Sequence, residues 1–231
     1  MTQGFYLFRG AVIFAIGLLL QSTKVESADE GSSATDLTAQ QLSVSEITAS
    51  RYQSAAINFL AELISYQTVT SAGTPLTLDD QFIGFKESLK RKAKALGLSF
   101  KADDYFITLS IGQGEKILGL IAHGDVRPVK SSQWQSNPFK LKQEGSSGRL
   151  IGRGTANNKG PIAAAVYSMR SLLDQGAPLR GRIELLIYFD NKTDTKPLAN
   201  FLESYQPAPI NIILNGTFPA ATAEKGRGII K

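Results

Sequence analysis

The chain has 231 residues, with 25 Lys or Arg, 20 Asp or Glu, one His and no Cys. That length suits one sizeable domain or two small ones at roughly 100–200 residues each. A hydrophobic share of 42% against 19% charged argues for a packed core and against wholesale disorder. The lack of cysteine excludes a disulfide framework, a thiol nucleophile and a zinc finger. One histidine excludes a metal site built on several, and a net charge of +5, spread along the chain, gives no ground for expecting nucleic acid.

The amino terminus reads as an export signal over residues 1–27. Arg9 precedes the apolar run Ala11–Leu20, which is short for a bilayer span, and Val25-Glu26-Ser27 offers compact residues for cleavage. The expectation is an exported protein, periplasmic or secreted, without stable membrane insertion after cleavage. The competing reading is an uncleaved anchor beginning near Phe5. Residues 28–50, rich in Ser, Thr, Ala, Gln and acids, lack a sustained apolar period and read as a polar linker.

The remainder, 51–231, reads as one partial α/β domain. Residues 51–66 place Ala55, Ile57, Phe59, Leu60, Leu63 and Ile64 at helical spacing. A second helix is predicted from Asp79 to about Leu96, with an aspartate at its cap and Gly97 past its end. Its basic run, Lys90 to Lys94, is expected to be a solvated face. Tyr105–Ile111 alternates as a strand, and Lys116–Ala122 is a short apolar run ending at His123. A helix over Ile162–Leu173 is entered through Gly160-Pro161, and Arg182–Phe189 and Ile210–Leu214 read as further strands. Apolar strands alternating with helices predict a mostly parallel sheet flanked by helices. In such sheets chemistry sits at the carboxyl ends of the strands. Three polar turns follow strand ends here: His123-Gly124-Asp125, Asp190-Asn191-Lys192 and Asn215-Gly216-Thr217.

Ile121-Ala-His123-Gly-Asp125-Val-Arg-Pro128, Trp134, Asn137-Pro-Phe139 and Gly152-Arg-Gly-Thr-Ala-Asn-Asn-Lys159-Gly160-Pro161 form an ordered series. It resembles the zinc-dependent dipeptidase, carboxypeptidase G and aminoacylase family of exopeptidases and deacylases. Pro161, Phe218-Pro219 and Glu224-Lys225-Gly226 are most similar to its dipeptidase branch. The resemblance implies the amino-terminal part of a zinc exopeptidase-like catalytic domain, ending at Lys231 before the family's lid and last histidine.

The resemblance also implies roles. His123 matches a zinc ligand, and Asp125 the aspartate that orients it. The bridging aspartate's place holds Asn157, the general base's holds Asn191, and two further ligand places hold Lys192 and Asn215. Zinc wants imidazole and carboxylate, and a base must accept a proton, which an amide cannot. An ammonium about 4 Å from a dication is repelled by about 8 kcal/mol at an effective dielectric of 20. Zinc is the family's cofactor, and these residues predict that none is bound here.

The sequence therefore predicts a dipeptidase-like metallopeptidase domain, a peptide or amide hydrolase by fold, inactive at its metal and base positions. Two alternatives stand beside it. One is a non-catalytic exported protein that binds small peptides, with Lys192 and Arg153 holding a peptide carboxylate. The other is a non-functional gene remnant. Trp134 with Pro138-Phe139 is expected to pack beneath the site.

Overall fold

The protein is described from a computed structural model, covering residues 34–70, 75–145, 148–176, 178–189, 201 and 203–215. The export-signal region lies outside the described residues. Helix α1 runs Ala34–Ser65, so most of the stretch expected to be linker is helical. The reason lies in its far end: Thr48 is buried and its hydroxyl bonds Ser171 Oγ at 2.7 Å, while Tyr52 donates to Asp174. No apolar period announces those polar contacts.

Helix α2, Asp80–Leu96, follows a short 3-10 turn at Leu76–Leu78. Asp79 caps it by accepting the Gln81 N–H at 2.8 Å, and Gly97 ends it at φ 71°, a conformation that costs glycine nothing. Its basic run does face water at Lys90, Arg91 and Lys94. Strands β1 (Ser99–Ala102), β2 (Phe106–Ile111) and β3 (Lys116–His123) come next. After the two-residue strands β4 (Lys142–Gln143) and β5 (Leu150–Ile151), helix α3 spans Lys159–Asp174. Strands β6 (Arg182–Tyr188) and β7 (Ile210–Ile213) follow. No helix among the described residues is long and apolar enough to cross a membrane.

The main sheet has the order β1-β2-β6-β3-β7. It is mixed: β6-β3 and β3-β7 pair in parallel, whereas β1-β2 and β2-β6 are antiparallel. The parallel half follows from helix α3 crossing over between β3 and β6. Strand β1, too polar to stand out in the sequence, adds a hairpin edge to the other half.

Register sorts the residues by face. Ile107, Leu109 and Ile111 of β2 stand opposite Ile187, Leu185 and Ile183 of β6, which stand beside Ala122, Leu120 and Leu118 of β3. These rows pack with α1, α2 and α3 in one apolar core that includes Phe59, Leu63, Phe85, Ile162 and Val166. The other face carries Phe106, Glu184, Tyr188 and His123. There Phe106 stacks on Phe201 at 3.7 Å, and Lys116 and the Tyr205 hydroxyl both reach Glu184 Oε1, at 2.7 and 3.0 Å.

Candidate functional site

The site lies where the parallel strands end. His123 is the last residue of β3, and the turn after it is pinned to the segment following α1. Thr68 Oγ1 donates to the Gly124 carbonyl at 2.7 Å, and the Val126 N–H donates to the Thr68 carbonyl at 2.8 Å. This holds Asp125, 5% exposed, beneath the imidazole.

The second wall is the turn leading into α3. Lys159 N–H donates to Gly154 O at 2.9 Å, closing the loop that carries Asn157 and Asn158. Gly154 has φ 94°, and a Cβ there would stand 3.0 Å from both Lys159 Cδ and Val126 Cγ1. Both backbone and space therefore require glycine.

Asn158 joins the pieces and is missed by a residue-by-residue reading of the motif. Fully buried, it accepts the His123 N–H through Oδ1 at 3.2 Å and donates through Nδ2 to the Leu214 carbonyl at 2.8 Å. One amide thus ties the ends of β3 and β7 to the turn before α3. The only signal for it in the sequence is the doubled asparagine before Lys159.

His123 meets acceptors at both nitrogens. Nδ1 lies 3.0 Å from the Asp125 carbonyl and 3.3 Å from its carboxylate. Nε2 meets the amide oxygen of Asn157, whose orientation is supported by Asn158 Nδ2 approaching the same oxygen at 3.4 Å. Both ring nitrogens are thus engaged by neighbouring polar groups. Burial is the strongest influence and pushes its pKa down. The hydrogen bond to Asp125 and that carboxylate's charge, with Asn157, outweigh it, and the pKa stands above the usual histidine value.

Lys159 lies deeper still. It is fully buried, donates from Nζ to the Tyr66 carbonyl at 2.6 Å and sits 5.3 Å from the centre of the Phe85 ring. Burial pushes its pKa down to about 7, against a small opposing pull from Asp125.

The structure brings His123, Asp125 and Asn157 together, as expected. Asn215 follows β7 and is exposed. Asn191 and Lys192 lie outside the described residues. Among the described residues, no three His, Cys, Asp or Glu side chains are grouped to hold a metal ion. The side chains that the described residues bring together here are one imidazole, one carboxylate engaged beneath it, and neutral amides. A two-zinc centre needs an anionic shell, and one carboxylate with neutral amides does not fit it. Trp134 is half-buried and lies outside the main apolar core, with the Arg153 guanidinium 5.4 Å from its ring centre.

The sequence of the sheet and its turns agrees with known proteins. The family model described as Peptidase family M20/M25/M40 matches residues 119–211, the stretch from β3 through β7. Residues 119–211 are thus similar to M20 peptidases, and the curated relatives that match are described as putative dipeptidases. "Putative dipeptidase YtjP" of Bacillus subtilis is 31% identical over 115 residues, which is 50% of this chain and 24% of that protein. The matched segment spans about a quarter of that relative's length.

Two solved structures share the fold. Human carnosine dipeptidase 1 superposes with a TM-score of 0.65 at 17% identity, over 76% of this chain and 42% of that one. The M20 family metallo-carboxypeptidase Sso-CP2 from Sulfolobus solfataricus gives 0.56 at 20% identity, over 70% and 37%. The α/β fold of this chain, a mixed sheet flanked by helices, is therefore shared with these two structures.

Proposed function

We propose that this chain is a dipeptidase-like peptidase domain that no longer cleaves amide bonds. The observation that carries the reading is the contact between His123 Nε2 and Asn157. That nitrogen meets a neutral amide, and by the resemblance the amide stands where the family's bridging carboxylate belongs. Asn191 and Lys192 in the base and ligand places, and Asn215 in the last, point the same way. Zinc binding here would require a charge-poor shell to hold dications.

The test is thermal unfolding of the full chain with and without excess zinc, together with a dipeptide hydrolysis assay. A ligand that binds only the native state raises the melting temperature by mass action. The expected result is an unmoved melt and no hydrolysis. A zinc-dependent rise with turnover overturns the proposal. Restoring carboxylates in Asn157→Asp, Asn191→Glu, Lys192→Glu and Asn215→Asp together is expected to make the melt zinc-sensitive.

A second reading is that the cleft binds small peptides without cleaving them, and one observation favours it. Arg153 beside the site has no carboxylate partner among the described residues. Export with cleavage after Ser27 is part of both readings, and amino-terminal sequencing of the protein recovered from its host checks it.

A further inference from the structure

Positive charge is concentrated in one stretch of the chain. Between Asp125 and Asp174 the only acid is Glu144, against eight Lys and Arg, and Glu144 is engaged by Arg149 at 3.4 Å. Two of those cations, Arg127 and Arg153, meet on the turns that carry the site. Arg127 follows Asp125 by two residues, and Arg153 precedes Asn157 by four. The Arg153 backbone N–H donates to the Pro138 carbonyl at 2.6 Å, and its Nη2 donates to the carbonyl of Pro128, the residue after Arg127, at 3.2 Å.

The Arg153 guanidinium is incompletely used. Its Nε is buried and makes no hydrogen bond, and one face lies against the indole of Trp134. Burial pushes its pKa down, and the charge of Arg127 adds to that. Neither arginine has a carboxylate partner among the described residues. Two like charges held side by side disfavour each other, and an anion between them removes that cost. The planar guanidinium fork matches a carboxylate in two parallel hydrogen bonds, and an aromatic wall restricts its swing.

We propose that Arg127, Arg153 and Trp134 form a subsite for the carboxylate of a small molecule or short peptide, beside His123 and Asn157. The proposal rests on the peptide-binding reading above and needs no metal, so it is tested in EDTA. Loss of the inactivity reading through zinc-dependent hydrolysis would leave it standing on its own titration.

Trp134 is the chain's only tryptophan, so its emission reports on the subsite directly. The full chain is titrated with N-acetylglycine, with its neutral amide and with inorganic phosphate, and heats are measured in parallel. The expected result is a saturable response to N-acetylglycine, none to the amide, and weaker binding of phosphate. In Arg127→Gln, an exposed position, the affinity is expected to fall about tenfold or more with an unchanged melt. Absence of both signal and heat, an equal response to the amide, or unchanged affinity in Arg127→Gln overturns the proposal. Phosphate binding as tightly as N-acetylglycine overturns the carboxylate assignment, because charge alone is then being read. Arg153→Gln is a supporting variant, and the test does not depend on its folding.

Discussion

At the scale of single residues, the site is governed by what each side chain can donate. His123 is set between Asp125 at Nδ1 and the Asn157 amide at Nε2, so both ring nitrogens are engaged. Lys159 shows the opposite pressure, a cation buried where water cannot solvate it. Its consequence is a dependence of stability on pH. In the unfolded chain a lysine titrates near 10.5, whereas in the fold Lys159 does so at about 7. Between those values the unfolded state binds more protons, so stability rises with pH through the window. The slope is at most ~1.4 kcal/mol per pH unit for one group. Urea midpoints of the full chain at pH 7, 8 and 9 are expected to increase, and in Lys159→Met this increase is expected to vanish. A flat profile in the unsubstituted chain would show that the ammonium is solvated. The grouping of His123, Asp125 and Asn157 was legible in the sequence because they fall in a spaced motif. The role of Asn158 was not, since its partner Leu214 is 56 residues away.

At the scale of elements, caps and crossovers explain most boundaries. Helix α2 starts and stops where Asp79 and Gly97 said it would, because both ends are set by local hydrogen bonding and backbone freedom. Asp79→Ala removes the acceptor for the Gln81 N–H and is expected to cost about 1 kcal/mol. Chemical denaturation checks this, and a change below the error of the fit would mean water replaces the cap fully. Helix α1 is the counter-example. Residues 34–50 of it lack an apolar period, and the buried contact there, Thr48 on Ser171 of α3, is polar and distant in sequence. The parallel half of the sheet was legible from apolar strands spaced around a helix. The antiparallel edge was not, because Ser99–Ala102 is a mostly exposed strand with little apolar pattern.

At the scale of the whole molecule, one core joins three helices to one face of the sheet. Phe59 of α1 is fully buried and meets Tyr167 of α3 edge to face, with ring centres 6.3 Å apart. Phe82 and Phe85 of α2 each meet Phe189 in the same manner, at 5.2 and 5.9 Å. These contacts couple segments distant in sequence, so the domain is expected to unfold cooperatively. Phe59→Ala leaves a cavity at the α1–α3 seam and is expected to cost 3–5 kcal/mol. A single, lowered transition in a thermal melt is the predicted signature. Loss of α1 alone, with the sheet's transition unchanged, would show that the helix docks as a separate unit.

By itself the sequence determined the helix periods, the apolar strands, the order of the turns and which side chains stand at them, because these depend on neighbours within a few residues. It also placed Asn157, Asn191, Lys192 and Asn215 at the positions that the resemblance assigns to metal and base, and so carries the proposal of an inactive site. Only the tertiary structure decided that His123 meets Asp125 and Asn157 at its two nitrogens and that Asn158 locks two strand ends together. It also set the Arg153 guanidinium against Trp134. Those outcomes depend on distances between segments far apart along the chain, set by the register of β3, β6 and β7 and by the packing of α3, and no local pattern encodes them.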